Sequence, residues 1–426
     1  MIEKGKRLRV LYFIGSYGPD VMGNASHEEV VVELRRRGHD VEVLTQITQP
    51  TAPRYSRAVH SGVPVYRVNL AARDSRLGGL LGKVSNRALH YAYIPALLRA
   101  YRKQLRRGYD LIHVEGAYPF GFVAAVASGR TPYVANVQGA DVIDLPDYDY
   151  GYRRFPLPRL AVKLALSRAA AIRVISGLLK DYVISEKLAP SDKIAVVYRA
   201  IEAEAFPGAG ESLSDLRARG RQMLAERYGI GLPRPVIMTL SRLHPFKGLE
   251  YLVDALADVV RQRREQDREP PWLVIGGPSR TTESYGDYRA FLQKRAEERG
   301  VASYVVFTGQ VEHDEVKLHL AGADVFACPS ILEAQNKVVP EAAAVGTPSV
   351  VTETTGIASY LAPLGACLTV PPADASALAS AVLDLLGDAA YLGGLQQKAL
   401  RAAESLRVEN VAPQLEEVWL RAAGKI

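Results

Sequence analysis

The chain is poor in the residues on which disulfide-bonded and metal-binding proteins depend. Its 426 residues include only two cysteines, Cys328 and Cys367, and both lie in apolar stretches. This argues against a disulfide framework and suits a reducing cytoplasm, where we expect the protein to act. The eight histidines show no ligand spacing such as H-E-x-x-H, and no acidic cluster has a metal-binding pattern, so we expect no bound metal. His313 and His319 are expected on helix surfaces.

The amino terminus lacks a hydrophobic run long enough for a secretory signal or a membrane-spanning helix. Its first apolar stretch, within MIEKGKRLRVLYFIG, has only about six residues, whereas a span needs about 20. We expect this stretch to form a buried strand. There is also no short internal repeat or low-complexity tract. Because 426 residues are too many for one ordinary core, the length predicts two domains.

Negative charge is scarce in the first half of the chain. Residues 1–205 contain 30 Lys and Arg against 19 Asp and Glu, a balance of +11, while the remainder has 23 against 27, a balance of −4. A basic half suggests an anionic partner, such as a membrane surface, a phosphorylated acceptor or nucleic acid. The alternative is a solvated surface with no specific partner. Nucleic acid is disfavoured, because the chain has no recognition motif and no stacking aromatics interleaved with its cations.

Apolar runs of strand length alternate with amphipathic helical segments along the chain. This rhythm predicts a doubly wound parallel sheet in each half, with a turn-rich linker at 206–215 between them. We expect two Rossmann-like α/β domains that face each other across a cleft, with ligands outside the carboxyl ends of the strands. The predicted strands are 8–14, 41–45, 110–114, 132–137 and 171–175 in the first half, and 236–240, 272–276, 304–309, 323–330 and 348–351 in the second.

Two cations follow the first predicted strand of the second half. In TLSRLHPFKGLEYL the strand ends at Leu240, and the next loop presents Arg242 and Lys247 before a helix that starts at Gly248. The amides and dipole of a helix start favour negative charge, and Arg offers a bidentate fork to phosphate. This arrangement suggests a diphosphate site. Taken alone, the two residues are equally well explained as solvated surface cations.

Two carboxylates flank a second helix start. In PSILEAQNKVVPEAAAVGTP, seven residues separate Glu333 from Glu341, and Pro340 suits a first helical turn, so we expect the helix to begin near Val338 or Val339. We expect both acids to face the cleft, where carboxylates can accept hydrogen bonds from pairs of sugar or ribose hydroxyls. Taken alone, Glu333 would be an ordinary loop residue, and Glu341 would be an acid in a first helical turn, where the helix dipole favours negative charge.

Together these motifs resemble those of the retaining glycosyltransferases of family 4, which have the GT-B fold. The pattern S-R-L-x-x-x-K-G is followed about ninety residues later by P-S-x-x-E-x-x-x-x-x-x-x-E-A-x-A-x-G-T-P. LRRRGHDVEVLT, VQGAD and YRAIEAEAF resemble further family segments, so the resemblance covers nearly the whole chain. It implies an acceptor-binding domain at 1–205, a nucleotide-sugar-binding domain at 206–405, and a helix at 406–426 that crosses back to the first domain.

The resemblance also implies roles for individual residues. Arg242 and Lys247 would bind the diphosphate and stabilise it as it leaves, in place of a metal, and Glu333 would hold the donor sugar. Glu341 would hold the ribose, and Val311 would lie by the base. Further donor contacts are implied for Gly23, Asn24, Gln138, Ser241, Gly277, Asn336, Lys337 and Val338. The nucleotide sugar is a substrate, so no cofactor is implied.

Four segments depart from the family pattern. Gln138 stands where the family usually has a histidine, and it can donate a hydrogen bond but cannot carry a proton at neutral pH. The segment 334–336, Ala-Gln-Asn, replaces Gly-Phe-Gly and loses glycines that would let the backbone approach the sugar. Asn24 replaces a glycine, and Ala200 with Glu202 replaces the Gly and Asp of the linker. These departures leave the donor sugar open.

The activity implied is transfer of a hexosyl group from a UDP- or GDP-sugar to a hydroxyl acceptor. Residues 73–107 mix leucines with many cations, which suits peripheral contact with the cytoplasmic face of an anionic membrane, at about 1 kcal/mol per cation. The acceptor is then expected to be a lipid or lipid-linked saccharide in the synthesis of a cell-envelope glycan or glycolipid. The cations would otherwise be a solvated helix end.

Other functions are left open by these residues. A soluble small molecule or sugar could be the acceptor. A nucleotide-sugar 2-epimerase shares the GT-B fold, although it would be expected to place additional acids and histidines around the sugar. A non-catalytic binding module could also retain the cleft, but the presence of all four of Arg242, Lys247, Glu333 and Glu341 argues against it.

Overall fold

The computed structural model describes residues 6–18, 25–71, 93–231, 233–279, 281–282 and 285–426. Two α/β units, each built on its own sheet, face each other within these ranges. Both sheets lie between layers of helices, and apolar side chains fill both faces of each sheet.

The first sheet consists of β1 (Arg9–Phe13), β2 (Asp40–Ile47), β3 (Tyr55–His60), β4 (Val63–Asn69), β5 (Leu111–Glu115), β6 (Tyr133–Val137), β7 (Ala171–Val174) and β8 (Ile194–Val196). Its order is β3-β4-β2-β1-β5-β6-β7-β8. Neighbouring strands are parallel, except that β3 and β4 are antiparallel. The carboxyl ends of the parallel strands therefore meet at one edge.

The second sheet consists of parallel strands in the order β13-β10-β9-β14-β15-β16. The strands of this half are β9 (Val236–Leu240), β10 (Trp272–Gly276), the short hairpin β11 (Thr281–Thr282) and β12 (Gly286–Asp287), β13 (Val305–Gly309), β14 (Val325–Cys328), β15 (Ser349–Thr352) and β16 (Leu368–Val370). Both sheets are thus mainly parallel, as the alternation of strands and helices predicts.

The described helices are α1 (Ala25–Arg36), α2 (Ile94–Leu105), α3 (Phe122–Ala127), α4 (Pro156–Arg168), α5 (Gly177–Ser185), α6 (Leu213–Tyr228), α7 (Leu249–Glu265), α8 (Tyr288–Glu298), α9 (Val316–Gly322), α10 (Val338–Ala344), α11 (Ala358–Leu361), α12 (Ala375–Gly387), α13 (Ala389–Glu404) and α14 (Val408–Ala422). In the described part of the chain, no single helix is both long and apolar enough to cross a membrane. Only α12 and α13 taken together pass that test, and they are bent by 101°.

All ten strands predicted from the sequence are present, with ends shifted by up to two residues. The sequence analysis did not predict β3, β4, β8, β16 or the short hairpin strands β11 and β12. Side chains of β3 alternate between exposed and half-buried positions at the edge of the sheet, so the strand lacks a strong apolar run. β8 and β16 have three residues each, too few for a clear pattern. Cys328 and Cys367 are free and buried, as expected.

The last helix, α14, belongs to the core of the first domain although it follows the second domain along the chain. It packs against α1, β6 and β7. Trp419 on this helix is fully buried, and its indole Nε1 donates a hydrogen bond of 3.1 Å to His113 Nδ1 on β5. The carboxyl-terminal segment therefore fastens the second domain to the first through an aromatic anchor.

Two glycines allow α6 and α9 to pack at close range. A Cβ added to Gly220 on α6 would lie 2.4 Å from the carbonyl oxygen of Leu318 and 2.6 Å from the backbone nitrogen of Gly322. Real Cβ atoms do not approach backbone atoms so closely, so any side chain at Gly220 must push the helices apart.

We expect Gly220→Ala to destabilise the protein by about 1–3 kcal/mol, because the new methyl group overpacks the contact between α6 and α9. Gly393→Ala is the matched control, since Gly393 also lies in a helix but has open space around it. Better helix propensity should make this control neutral or stabilising by about 0.5–1 kcal/mol. Thermal denaturation measures both, and an equal melting temperature for the two variants would contradict the packing argument.

Glu202, in the connection between the domains, forms hydrogen bonds or ion pairs with residues from both domains. Glu202 is fully buried and accepts hydrogen bonds from the Ser26 backbone N–H at 3.0 Å and from His313 Nε2 at 2.6 Å. Lys337 Nζ lies 2.8 Å from Oε1, the same Glu202 oxygen that accepts from Ser26, whereas His313 contacts Oε2. Burial alone would raise the pKa of Glu202, but the hydrogen bond from His313 and the charge of Lys337 outweigh burial and lower this pKa to about 2.

The expectation of a helix-surface position was wrong for His319, whereas His313 begins a short 3₁₀ helix and is partly exposed. His313 is half-buried against Glu202 and also lies 2.5 Å from Glu204. His319 is fully buried, donates from Nδ1 to the Glu315 carbonyl at 2.8 Å and contacts the Tyr228 hydroxyl through Nε2 at 3.0 Å. The sequence pattern could not reveal these partners, because they are distant in the chain or belong to a preceding turn.

The protonated form of His313 should stabilise the fold. Its hydrogen bond to Glu202 raises the pKa of His313, so this stabilisation is complete below about pH 6.5 and is lost as the pH rises through the raised value. We therefore expect His313→Gln to lower the melting temperature more at pH 6 than at pH 8.5.

His319→Gln is the control of opposite sign. Burial lowers the pKa of His319, so its stabilisation is present above about pH 6.5 and is lost as the pH falls. This variant should therefore lose more stability at pH 8.5 than at pH 5.5. A His313→Gln effect that is the same at all pH values would contradict the ionic role of His313.

Candidate functional site

A cavity of about 350 Å³ lies between the two domains, at the carboxyl ends of the strands. From the first domain its wall includes residues that follow β6 and β7, and from the second it includes the loops after β9 and β14. The described lining residues are Gln138, Tyr150, Ile175, Arg199, Leu240, Ser241, Arg242, Phe246, Lys247, Leu332, Glu333, Ala334, Gln335, Asn336, Lys337 and Val338. We refer to this space as the first cavity.

An ion pair joins the two loops of the second domain. Lys247 Nζ lies 2.6 Å from each carboxylate oxygen of Glu333, and both side chains are largely buried. Ser330 Oγ donates to the same carboxylate at 2.9 Å, as does Asn336 Nδ2 at 3.2 Å. Burial raises the pKa of Glu333, but the charge of Lys247 and these hydrogen bonds outweigh burial and lower it. Glu333 is therefore held as a carboxylate.

Arg242 differs in its ion pairing from Lys247 and Lys337, two other cations of this wall. Its side chain is exposed, and within the described ranges it has no ion pair. Lys247 is paired with Glu333, and Lys337 is paired with Glu202. A cation that lines a cavity without a protein counter-ion can accept an anionic ligand without first giving up a partner.

The helix start predicted beside the first cavity is present. α10 begins at Val338, and Pro340 lies in its first turn. Asn336 has a left-handed backbone, with φ of 76°, and its Oδ1 accepts hydrogen bonds from the N–H groups of Val338 at 2.8 Å and Val339 at 3.0 Å. Asn tolerates this conformation better than most residues and here replaces the family's glycine. The Val338 amide, which was expected to contact the donor, thus has a side-chain acceptor.

The segment 334–336 also crosses to the first domain. Gln335 Oε1 accepts a hydrogen bond of 2.9 Å from the Arg199 backbone N–H, and Ser176 Oγ donates to the Ala334 carbonyl. The Ala334 methyl group packs so closely on Gly139 that a Cβ there would be 2.7 Å away. The departure from the glycine-rich family pattern therefore gives the loop contacts that bind the two domains together.

Glu341 lies in the first turn of α10, as expected, but it is not among the residues that line the first cavity. Its side chain is buried, with Oε1 3.4 Å from Lys337 Nζ. Burial raises the pKa of Glu341, and Lys337 partly opposes this rise. Gly277 and Val311 are likewise not among the described lining residues of the first cavity. A Cβ on Gly277, where φ is 134°, would fall 1.7 Å from the Ser241 carbonyl oxygen. Only glycine permits that approach.

A second cavity, of about 220 Å³, opens on the side of the first domain and shares Gln138 with the first cavity. The side-chain Nε2 of Gln138 donates to Glu115, which also accepts hydrogen bonds from Tyr12, Asn136 and His113. The described residues of this cavity are Ile14, Gly15, Ser16, His27, Glu115, Gly116, Tyr118, Gln138, Ala140, Asp141 and Tyr152. One of the two N–H groups of the Gln138 amide is thus engaged by Glu115.

The loop that carries Gln138 is shaped by Asp141. This buried carboxylate accepts hydrogen bonds from the backbone N–H groups of Ala117 at 2.7 Å, Gly139 at 2.9 Å and Gln138 at 3.2 Å. Burial raises the pKa of Asp141, and the backbone hydrogen bonds oppose the rise. Its role is to fix the loop between β6 and the two cavities.

The site residues expected from the sequence divide into three groups. The first cavity is lined by Gln138, Ser241, Arg242, Lys247, Glu333, Asn336, Lys337 and Val338. Gly277, Val311 and Glu341 lie outside its described lining. Gly23 and Asn24 fall outside the described residues.

Sequence reasoning missed Arg199, Tyr150 and Phe246 as cavity residues. The rings of Tyr150 and Phe246 lie 4.6 Å apart, one on each side of the cleft. The tyrosine-rich segment DYDYGYRRF was a signal that could have pointed to Tyr150.

One further cluster has the residue types of a metal site. Glu202, Glu204 and His313 bring three potential ligand atoms within 4.8 Å of one another. However, the Lys337 ammonium lies 2.8 Å from Glu202 and already neutralises it. A lysine this close fits an ion-pair network better than a cation site.

Comparison with known proteins agrees with this architecture. A model for glycosyl transferases group 1 matches residues 234–388, and a model for a glycosyl transferase 4-like domain matches residues 24–200. Among solved structures, sucrose-phosphate synthase from Thermosynechococcus elongatus superposes with a TM-score of 0.73 at 21% identity, over 96% of this chain and 98% of that one. This likeness establishes the fold.

Two relatives share sequence over most of the chain. A Bacillus subtilis (strain 168) glycosyltransferase named for teichuronic acid biosynthesis, TuaC, is 28% identical over 84% of this chain and 83% of its own length. A GDP-mannose-dependent alpha-(1-6)-phosphatidylinositol monomannoside mannosyltransferase of Mycolicibacterium smegmatis is 30% identical over 64% of this chain and 66% of its own length. The two family models together cover more than three quarters of the sequence. The chain therefore belongs to the group 1, family 4 glycosyltransferases and has their GT-B fold.

Proposed function

We propose that the protein transfers a hexosyl group from a nucleoside diphosphate sugar to a hydroxyl acceptor, with retention of the anomeric configuration and without a metal. The observation that carries this proposal is the arrangement of cations in the first cavity. Arg242 lines it without an ion pair in the described chain, and Lys247 lies beside it, paired with Glu333. A diphosphate bound here would supply the counter-charge that Arg242 lacks.

The reaction breaks the bond between the sugar C1 and a diphosphate oxygen, and the bonding electrons leave with the diphosphate. Negative charge grows on the leaving group, where Arg242 and Lys247 would stabilise it more strongly than in the ground state. The acceptor oxygen forms the new bond to C1 on the same face of the sugar. Its proton passes to the departing diphosphate oxygen. No side-chain base or nucleophile is required.

The lining of the first cavity supports a mechanism without a side-chain base or nucleophile. Of the described lining residues, Glu333 is the one carboxylate, and none is a histidine. Because Glu333 is ion-paired with Lys247 and hydrogen-bonded to Ser330, it is better suited to hold sugar hydroxyls than to attack C1. The same lining disfavours a 2-epimerase, which would need additional acids and histidines around the sugar.

The donor is proposed to be a UDP- or GDP-sugar, with Glu341 on the ribose and Val311 near the base. Among the relatives, the mycobacterial enzyme is named for GDP-mannose, which supports a nucleoside diphosphate donor here. Since Glu341 is buried against Lys337, ribose binding would require this pair to shift or to lie at the edge of the bound nucleoside. A thermal-shift comparison of UDP, GDP, ADP and their sugars identifies the base.

The acceptor is proposed to be a lipid or lipid-linked saccharide of the cell envelope. The names of the two relatives, which refer to teichuronic acid and to a phosphatidylinositol mannoside, support acceptors of this kind. A soluble saccharide acceptor is the alternative.

We further propose that the protein acts on the cytoplasmic face of a membrane, held by the basic segment 73–107. Residues 73–92 of this segment lie outside the described residues, and most of the rest forms α2.

Arg242→Ala should lower turnover by about 10²–10³-fold, since it removes a charge aimed at the leaving group. It should leave the melting temperature almost unchanged, because Arg242 has no ion pair in the described chain. Lys247→Ala should lower turnover similarly and also reduce stability by about 3–5 kcal/mol, because it leaves the Glu333 carboxylate buried without its partner. Release of nucleoside diphosphate measures turnover, and thermal denaturation measures stability.

Arg261→Ala is the matched control. This arginine is exposed on α7, and its one ion pair among the described residues is with Asp258, one turn earlier on the same helix. Such a surface pair contributes little, so the variant should behave as the wild type. Turnover near the wild-type value in both Arg242→Ala and Lys247→Ala would exclude the proposed mechanism.

The membrane proposal predicts binding to anionic vesicles. The protein should sediment with vesicles of phosphatidylglycerol and phosphatidylcholine at moderate salt, and much less with pure phosphatidylcholine. Replacing Arg99, Arg102 and Arg106, exposed cations of α2 and its end, by Gln should weaken sedimentation. If the protein stays in solution with anionic vesicles and turns over a soluble acceptor, the membrane proposal is wrong.

A further inference from the structure

The first domain has an apolar groove that the donor chemistry does not use. The groove encloses about 320 Å³ between α2, α3 and α4. Its described lining is Ile94, Tyr118, Phe122, Leu157, Leu160, Ala161 and Leu164. All of these side chains are aliphatic or aromatic, so the groove suits a hydrocarbon ligand and offers almost nothing to a charged one.

Two leucines of this groove are displayed to solvent. Leu157 is 63% exposed and Leu160 is 66% exposed. Together with Ala161 and Leu164 they follow the i, i+3, i+4, i+7 spacing of one helix face, so α4 presents an apolar stripe outward. Its opposite face, with Val162 and Leu166, is already buried in the core. A contiguous apolar surface of this kind generally marks a binding site.

The groove adjoins the second cavity, which in turn adjoins the first. Tyr118 lines both the groove and the second cavity, and Gln138 lines both the second cavity and the first. The ring of Tyr118 lies 5.8 Å from that of Tyr152, another residue of the second cavity. Moving outward from the first cavity, the walls therefore change from charged, through polar and aromatic, to purely apolar.

The helices that form the groove carry charge of one sign. Within α2, α3 and α4 there are three cations on α2 and three on α4, but no Asp or Glu. The six are Arg99, Arg102, Lys103, Arg159, Lys163 and Arg168. An apolar groove in a cationic helix layer is complementary to a molecule that combines a hydrocarbon chain with an anionic group.

We propose that this groove holds the hydrocarbon chain of the acceptor lipid, with the lipid's polar head in the second cavity and its reactive hydroxyl turned toward Gln138 and the first cavity. The inference rests on the proposed transferase function and names its acceptor class. Leu157, Leu160 and Leu164 would contact the chain, and the cations of the layer would lie near an anionic lipid group. Burial of the lipid's hydrocarbon chain, and not contact with a sugar, would then supply much of the binding affinity for the acceptor.

The probes are methyl, butyl and octyl β-D-glucoside, used as monomers below their critical micelle concentrations and titrated into the full-length protein by calorimetry. Each methylene that leaves water strengthens binding severalfold, so octyl glucoside should bind at least about tenfold more tightly than butyl glucoside. The double variant Leu157→Asp/Leu160→Asp should lose this preference. Both positions are exposed, so the variant should keep its melting temperature.

Leu364→Asp is the matched control, since Leu364 is 49% exposed but belongs to the second domain. It should retain the full preference for the longer chain. Equal affinity for all three glucosides, or an octyl preference that survives in the double variant, would overturn the proposal. So would binding to anionic vesicles without binding to monomeric glucosides, which would make the face a bilayer contact. A wild-type dimer that the double variant abolishes would assign the face to a second copy of the chain, and would also overturn it.

The transferase function itself has a separate readout. Release of nucleoside diphosphate from the donor, with water as acceptor, should persist in the double variant and be lost in Arg242→Ala. If the wild type neither binds nor cleaves any nucleoside diphosphate sugar, the proposed function fails, whatever the glucosides show. If it does so but shows no chain-length preference, only the groove proposal fails.

Discussion

The ion pair between Lys247 and Glu333 joins the two loops on which the first cavity depends. One loop follows β9 and the other follows β14, and a backbone hydrogen bond of 2.9 Å from the Ile331 N–H to the Phe246 carbonyl also joins them. Because the pair is largely buried and Ser330 and Asn336 also bond to the carboxylate, it is fully satisfied and sets the position of both loops. Arg242, on the first of these loops, has no ion pair within the described ranges. A paired and an unpaired cation therefore stand within six residues of sequence in the described chain.

The parts of the fold that depend on local pattern could be predicted from the sequence. Central strands such as β1 and β9 are continuous apolar runs, and the start of α10 at Val338 follows from Pro340 and the preceding polar loop. The edge strand β3 could not be predicted, because half of its side chains face water and its pairing is set by β4. The same limit applies to the site. Motif spacing identifies the charged residues, whereas the contacts of Gln335 with Arg199 join positions more than a hundred residues apart.

Departures from a family motif were informative once their contacts were known. Asn336 adopts the left-handed conformation that glycine would take and adds two hydrogen bonds to the start of α10. Gln138 directs its amide donor to Glu115, so it helps to build the wall between the two cavities. Glu202, which replaces an aspartate, reaches Ser26, His313 and Lys337 together. In each case the side chain present at the altered position makes hydrogen bonds that hold neighbouring segments together.

The loop at 334–336 lines the first cavity and is also hydrogen-bonded to the first domain through Ser176 and Arg199. The cleft cannot widen at this point without breaking those bonds. Since water replaces broken hydrogen bonds at a small net free-energy difference, the closed and open arrangements can remain close in energy. A ligand that contacted this loop only in the closed arrangement would favour closure, and by reciprocity closure would favour that ligand. Occupancy of the cavity and the angle between the domains would then form a single coupled equilibrium.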